Sequence, residues 1–328
     1  MNKSMRSIIY SIPEHIITAT NSLPRSGLRK KKYDRIVVCG MGGSGISGEI
    51  LKALYPQIPI VSNKDYSVHE YCTKKTLGIL ISYSGNTEET LSNYALLSKR
   101  KIDMVVISSN GVLLKKKCRL KITVPAGLPP RGALGYLFTP LPLLLYRFRF
   151  IHHNPQKNLI ALAAFLKKQR NVIEKHAQQL SKKFINKLPI IYTNSQQFSP
   201  VAIRWQCQLN ENAKMMAHTN IIPEMNHNEI VGFGRPQSIN KNLLLIFLND
   251  PKSHPRNKIR VDIVKEIIKK KSTDVIHIEP KGTNHLQRMF WTIMLGDFIS
   301  YYCAIREGID PMPVKRIDYL KKRLSQYT

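Results

Sequence analysis

Four hydroxyl side chains follow an apolar run in the first third of the chain. They are Ser82, Ser84, Thr87 and Thr90. The run at 77–81 is typical of a buried parallel strand, Gly85 allows a sharp turn, and a helix is predicted from Glu88. Free backbone N–H groups and the helix dipole favour a phosphate at such a turn. With no lysine and no GxxxxGK[ST] pattern in the turn, the sequence favours a monophosphate over a nucleoside triphosphate with magnesium.

A carboxylate and an imidazole in the second half form the pair needed to open a sugar ring and move a proton between C1 and C2. Glu211 lies at the end of a predicted helix, and His227 lies in the turn-rich stretch 223–229. An isolated Glu at a helix end is ordinarily solvated, and a lone His is ordinarily structural. Polar irregular segments also often line sites, so both interpretations stay open here.

Two basic residues are weaker candidates. Arg131 lies in a loop stiffened by Pro129 and Pro130. It is either a surface residue or a guanidinium that stabilises developing negative charge. Lys321 lies on a predicted amphipathic helix, and its pattern does not distinguish it from the neighbouring exposed lysines.

A glycine cluster at 40–45 matches GxGxxG between a strand and a helix, which is the context of a dinucleotide fingerprint. That fingerprint also requires an acidic residue at the end of the second strand, but Asp65 comes late. The alternative is that glycines such as Gly43 let a sugar approach the backbone while Ser44 bonds it.

Strands alternate with helices in two cycles, which predicts α/β architecture with two doubly wound parallel sheets. Strands are predicted at 36–39, 58–61, 77–82, 104–107, 120–124, 188–192, 243–248 and 275–278. Helices are predicted at 44–54, 88–99, 132–148, 158–184, 199–214, 261–270, 284–306 and 314–325, after a lead-in helix and a basic loop within 1–32. The expected domains are 1–155 and 156–328.

Composition adds further expectations. The 328 residues suffice for two domains, and 51 Lys and Arg against 21 Asp and Glu give a net charge of +30. Because the basic residues are scattered, a solvated surface is favoured over a nucleic-acid partner. The five cysteines lack metal-ligand spacing, the N-terminus lacks a signal-peptide core, and the apolar stretch 137–146 is too short to span a membrane. We therefore expect a cytoplasmic protein with no membrane partner and no metal.

Several motifs together resemble the bifunctional phosphoglucose/phosphomannose isomerases, a branch of the sugar isomerase (SIS) domain superfamily. They are GMGGSG at 40–45, SYSGNTEET at 82–90, PPRGAL at 129–134, NENAK at 210–214, PEMNHN at 223–228 and IDYLKKRL at 317–324. They occur in order over nearly the whole chain. SYSGNT alone indicates only an SIS domain. NENAK followed by PEMNHN is typical of a much narrower group of proteins within that superfamily.

The resemblance implies two flavodoxin-like SIS domains and a cofactor-independent aldose–ketose isomerase of hexose 6-phosphates. Ser44, Ser82, Ser84 and Thr87 would hold the phosphate or nearby hydroxyls. Arg131 would stabilise the intermediate, Glu211 would shuttle the proton through a cis-enediolate, and His227 and Lys321 would assist ring opening. A homodimer with a shared site is implied, in which the partner can supply the histidine, and neither metal nor nucleotide is needed.

The sequence departs from the family pattern at one position, and two other functions remain as alternatives to the isomerase. Val314 stands where some family members carry threonine close to the substrate, which bears on the use of mannose 6-phosphate. A non-catalytic phosphosugar sensor is the main alternative, although few residues precede the first strand for a DNA-binding domain. An aminosugar phosphate isomerase or deaminase is the other, and no ammonia-handling site is identified for it.

Overall fold

The computed structural model describes residues 4–23, 31–269 and 274–327. Residues 1–3 and 24–30 of the predicted lead-in segment and the end of the helix predicted at 261–270 lie outside the described residues. Within the described ranges, the strands form two sheets, and every strand pairing in both sheets is parallel. The predicted α/β class is confirmed.

The first sheet has the strand order β2-β1-β3-β4-β5. Its strands are β1 (Arg35–Cys39), β2 (Ile60–Asn63), β3 (Thr76–Ile81), β4 (Asp103–Ser108) and β5 (Leu120–Thr123). This order is that of a flavodoxin-like sheet, whose ligands bind where the order reverses, beside β1 and β3. β3 is buried along its whole length because helices cover both faces, which explains its continuous apolar run.

The second sheet has the strand order β7-β6-β8-β9 within the described residues. Its strands are β6 (Leu188–Thr193), β7 (His218–Ile221), β8 (Leu243–Leu248) and β9 (Asp274–Ile278). The sequence did not predict β7, because this edge strand is polar and incompletely buried and so lacks the apolar run of a central strand.

The helices connect and cover the two sheets. They are α1 (Met5–Tyr10), α2 (Ile12–Thr20), α3 (Gly42–Leu54), α4 (Glu88–Lys99), α5 (Gly111–Lys115), α6 (Leu134–Phe138), α7 (Pro140–Arg147), α8 (Gln156–Leu180), α9 (Ser199–Gln208), α10 (Gln237–Asn240), α11 (Pro255–Lys269), α12 (His285–Arg306) and α13 (Lys315–Leu324). The predictions at 88–99 and 284–306 are confirmed closely, and α13 also lies where the sequence placed it.

Several predicted elements needed correction, including the helix predicted at 261–270, which begins at Pro255. The lead-in helix is two helices that meet at Ser11, and the run predicted at 132–148 is divided at Thr139, before the proline that begins α7. The strand predicted at 58–61 begins at Ile60. The helix predicted at 199–214 is α-helical to Gln208 and then widens into a π-helical turn, Leu209–Ala213. Such a turn often marks a functional site.

The two halves share a packed core, in which Ile50 and Phe138 of the first half belong to the same buried cluster as Trp205 of the second. Trp205 on α9 is buried, and its indole N–H donates to the Thr292 carbonyl of α12 at 2.8 Å. A Cβ at Gly296 would overlap the Trp205 ring, so glycine is needed for this close approach. This packing fixes α9, which carries the π-helical turn, against the long buried α12.

Candidate active site

The glycine turn after β1 meets residues from two other places in the chain, at Tyr83 and Arg131. Ser44, in the first turn of α3, is buried, and its Oγ accepts a hydrogen bond from the Tyr83 N–H at 3.2 Å. A Cβ at Gly43 would lie 2.9 Å from the Arg131 Cα. The absence of a side chain at Gly43 therefore lets the Arg131 loop approach the start of α3.

The turn after β3 holds its hydroxyls together at the N-terminus of α4. The Oγ of Ser82 and the Oγ1 of Thr87 are 2.8 Å apart and hydrogen-bonded. Ser84 Oγ accepts from the Asn86 N–H at 3.3 Å. Gly85 has φ +70°, and a Cβ there would overlap the Asn110 carbonyl oxygen. We call Ser82, Ser84 and Thr87 the hydroxyl cradle; it lies beside the point where the strand order reverses.

Arg131 is almost fully buried between the two halves of the chain. Its Nη2 donates to the carbonyls of Pro311 at 2.6 Å and Met312 at 2.9 Å, and its Nε donates to Asn212 Oδ1 at 2.6 Å. Burial lowers the pKa of Arg131 from its ordinary value, and the charge of Glu211 opposes this effect. The Arg131 carbonyl accepts from Arg204 Nη2 at 2.8 Å, so α9 also holds its backbone.

Glu211 lies in the π-helical turn and faces Arg131. Its Oε2 is 3.5 Å from Arg131 Nη1, and its side chain is 24% exposed, so the carboxylate remains accessible. Lys214 ends the turn with φ +57°, and its Nζ donates to the Glu211 carbonyl at 2.6 Å. Burial and the charge of Arg131 lower the pKa of Lys214, while Asp310 and Glu211 oppose them.

Two cavities meet at Glu211. The small cavity, of about 150 Å³, includes Gly43, Arg131 and Glu211 in its lining. The large cavity, of about 720 Å³, includes Glu211, Lys214 and Val314. The structure therefore brings Gly43, Arg131 and Glu211 together at one cavity, and it connects them to the hydroxyl cradle through Ser44 and Tyr83.

Two predicted residues lie apart from this arrangement. His227 is exposed in a short 3₁₀ turn, and Lys321 lies on α13, whose side chains are all exposed. Neither residue lines either of the two cavities described above. The 3₁₀ turn is followed by Glu229, whose carboxylate accepts from the Tyr192 hydroxyl and from Asn220 Nδ2.

Sequence reasoning missed Asn212, Lys214 and Lys64 as residues of the site. Asn212 is fully buried and connects Arg131 to Ser300 Oγ, to which its Nδ2 donates at 2.9 Å. NENAK drew attention to Glu211, but a π-helical turn has no sequence signal of its own. Lys64 follows β2, and only the spatial neighbourhood of β1 and β2 places it in the small cavity.

The described residues contain neither a cluster suited to a metal ion nor a helix suited to a membrane. No group of three or more His, Cys, Asp or Glu side chains in residues 4–23, 31–269 and 274–327 is arranged to hold a metal ion. Among the helices in those ranges, none combines the length and apolar character needed to cross a bilayer.

Two parallel-sheet domains, with a hydroxyl-rich turn at the reversal of strand order, define a protein built from SIS domains. The SIS domain model matches residues 27–148, and the model described as the bacterial phospho-glucose isomerase C-terminal SIS domain matches residues 173–324. The C-terminal domain of a glucosamine-fructose-6-phosphate aminotransferase from Francisella tularensis has the same fold, with a TM-score of 0.75 at 17% identity, covering 94% of this chain and 98% of that one.

Curated relatives narrow the class. A bifunctional phosphoglucose/phosphomannose isomerase of Caldicellulosiruptor bescii is 38% identical over 97% of this chain and 98% of its own length. One from Aquifex aeolicus is 34% identical over 90% of this chain and 92% of its own. This chain belongs to the family of bifunctional phosphoglucose/phosphomannose isomerases, as its motifs predicted.

Proposed function

We propose that this protein interconverts fructose 6-phosphate with glucose 6-phosphate and mannose 6-phosphate through a cis-enediolate, without metal or nucleotide. The observation that carries the proposal is the approach of Glu211 to Arg131 at 3.5 Å, in a cavity next to a hydroxyl cradle. Membership of the isomerase family supports the substrate class.

Glu211 acts as the base. Its carboxylate removes the proton from C2 of the aldose or C1 of the ketose, and it returns that proton to the other carbon. A proton moves between the carbonyl and hydroxyl oxygens in the same exchange, so atoms and electrons balance without a redox partner. Because the enediolate is planar at C2, rotation about the C2–C3 bond can present either face of C2 to Glu211, and the returned proton then gives the glucose or the mannose configuration.

Arg131 stabilises the negative charge that develops on the enediolate oxygens. Its guanidinium is held by the two main-chain carbonyls and by Asn212, so it is already oriented when the charge forms. Its Nη1 is directed at Glu211 and is the guanidinium nitrogen that can donate to the substrate.

The hydroxyl cradle binds the phosphate. Ser82, Ser84 and Thr87 offer hydroxyls, and the N-terminus of α4 offers free N–H groups and a favourable dipole. Ser44 and the backbone at Gly43 lie at the N-terminus of α3, which faces the turn after β3 through the hydrogen bond between Ser44 and Tyr83. A phosphate held here leaves the sugar directed toward the cavity that contains Glu211.

His227 and Lys321 assist ring opening and closure, and the working form is a homodimer with a shared site. Exposure of the His227 segment supports its supply by a partner subunit. A cytoplasmic location fits the five cysteines, all of which are free thiols. Sedimentation of the purified protein as a monomer at assay concentration would contradict the dimer.

The test is a coupled assay of purified protein with fructose 6-phosphate and a chelator, which measures glucose 6-phosphate and mannose 6-phosphate separately. Formation of both products is expected. Formation of glucose 6-phosphate as the sole product would overturn the proposed activity on mannose 6-phosphate. Neither product, from folded protein that still binds a phosphosugar, would overturn the isomerase and favour a non-catalytic sensor.

A further inference from the structure

Lys64 lies in the small cavity, and the catalytic scheme above does not use it. It follows the last residue of β2, whose neighbour in the sheet is the last residue of β1. The glycine turn begins there, and a Cβ at Gly45 would lie 3.6 Å from Lys64 Cε. The lysine stem therefore passes over the glycine turn to reach the cavity that also contains Arg131 and Glu211.

The cations of this cavity differ in what holds them. Arg204 forms a buried ion pair with Asp297, with Nη2 2.7 Å from Oδ2, and Arg131 donates to two carbonyls and to Asn212. Lys64 Nζ instead lies 2.8 Å from Glu49 Oε1 on α3, and its side chain is 39% exposed. An exposed ion pair of this kind is weak and can exchange partners.

The Lys64 charge also acts across the boundary between the two halves of the chain. Burial raises the pKa of the Cys207 thiol on α9, Glu211 raises it further, and the charges of Arg204 and Lys64 oppose them. Lys64 thus lies close enough to influence a side chain one helical turn from Glu211. The hydroxyl cradle follows β3, which lies on the opposite side of β1 from β2 and Lys64.

Resting on the proposed function, we propose that Lys64 is a further substrate-binding residue, a second cation that contacts the oxygens at the C1–C2 end of the sugar phosphate beside Arg131. Glu49 holds its ammonium when the site is empty and competes with the substrate for it. The negative charge at C1–C2 grows as the enediolate forms, so Lys64 favours the intermediate over the neutral sugar.

Two ligands that do not turn over separate this role from phosphate binding. 5-Phosphoarabinonate carries a carboxylate that imitates the enediolate, and glucitol 6-phosphate carries a neutral hydroxyl group at that end. Calorimetry should show that Lys64→Met weakens binding of 5-phosphoarabinonate roughly tenfold or more, as for a lost charged hydrogen bond. Binding of glucitol 6-phosphate should change by less than about twofold.

Three further variants test the mechanism. Lys64→Arg should restore most of the affinity for 5-phosphoarabinonate. Glu49→Gln should bind it about twofold to fivefold more tightly than wild type, because the competing carboxylate is gone. Lys52→Met is the matched control: it removes the same charge from α3 at an exposed position that lines neither cavity, and it should leave both affinities unchanged.

The outcomes are distinct. An equal loss of affinity for both ligands would place Lys64 at the phosphate and overturn the inference. No loss of affinity for either ligand would also overturn it, because Lys64 and Glu49 would then be only a surface ion pair. These results leave the isomerase proposal intact, since wild-type turnover tests that separately. A wild-type protein that binds both ligands but forms no product overturns the isomerase alone, and one that binds neither ligand overturns both.

Discussion

Glu211 Oε2 and Arg131 Nη1 lie 3.5 Å apart, although the first residue comes from the second half of the chain and the second from the first half. The π-helical turn directs Glu211 toward Arg131, and α9 bonds the Arg131 backbone in return. The groups proposed for proton transfer and for charge stabilisation are thus positioned by contacts between the two halves.

Glu211→Gln should reduce turnover of fructose 6-phosphate by roughly 100-fold to 10,000-fold, because the amide cannot accept the proton. Phosphosugar binding should remain, because the cradle is untouched. Steady-state rates and calorimetric affinities measure both effects. Glu266→Gln on the exposed face of α11 is the control and should behave as wild type. A Glu211 variant with full activity would exclude this residue as the base.

Thr87→Val should raise KM for fructose 6-phosphate roughly tenfold with a smaller effect on kcat, because it removes a hydroxyl of the cradle. Thr87 is the N-cap residue of α4 but makes no side-chain capping bond, so the variant loses the hydrogen bond to Ser82, worth about 1 kcal/mol, and should remain folded. Thr123→Val removes a hydroxyl from the exposed face of β5 and serves as the comparison. An unchanged KM would place the phosphate elsewhere.

Val314→Thr should raise the ratio of mannose 6-phosphate to glucose 6-phosphate formed by about threefold or more, through a new hydroxyl in the cavity that contains Glu211. Initial rates of the two products give this ratio directly. Val172→Thr makes the same change at an exposed position on α8 and should leave the ratio unaltered. If the ratio stays constant in Val314→Thr as well, this position does not control tolerance at C2.

Asp250→Asn should destabilise the protein by about 2–4 kcal/mol at neutral pH, because it leaves Arg288 buried without its carboxylate, which is 3.0 Å from Arg288 Nε. Burial alone would raise the pKa of Asp250, but hydrogen bonds from His285 and the Lys252 N–H, with the charge of Arg288, lower it overall.

The pH dependence of this effect has a definite sign. Because the pKa of Asp250 is lower in the folded than in the unfolded state, its contribution is fully present above about pH 5 and is lost as pH falls through the folded pKa. Denaturant unfolding of wild type and Asp250→Asn should give a difference that shrinks below about pH 4. Asp262→Asn, at an exposed position on α11, should show no such convergence. If the difference in free energy of unfolding between wild type and Asp250→Asn did not change with pH, the lowered pKa of Asp250 would be contradicted.

Local patterns predicted much of the fold and part of the site. The position of the hydroxyl cradle was predicted from the apolar run before Ser82 and the acidic residues at the start of α4. A buried strand and a helix N-terminus both have local signals in the sequence. β7 and the π-helical turn could not be predicted in this way. A polar edge strand lacks the apolar alternation that marks its neighbours, and a π turn depends on tertiary packing against α12.

The same limit applies to side chains. Arg131 was a candidate because two prolines stiffen its loop, but its burial depends on carbonyls about 180 positions away. Lys64 had no signal at all, since β2 and α3 must be adjacent before its ammonium can reach Glu49. Contacts between segments distant in sequence decide such positions, and one sequence does not contain them.

The bonds from Arg131 to Pro311 and Met312 constrain how relatives of this protein can exchange their halves by recombination. A crossover between the two sheets would combine one parent's arginine loop with the other parent's 311–312 backbone and Asn212. Any sequence with the same backbone conformation at 311–312 supplies the two carbonyl acceptors. The hydrogen bonds from Arg131 to this segment therefore do not depend on which side chains it carries. Asn212 is the exception, and hybrids should tolerate divergence at 311–312 far better than loss of that amide.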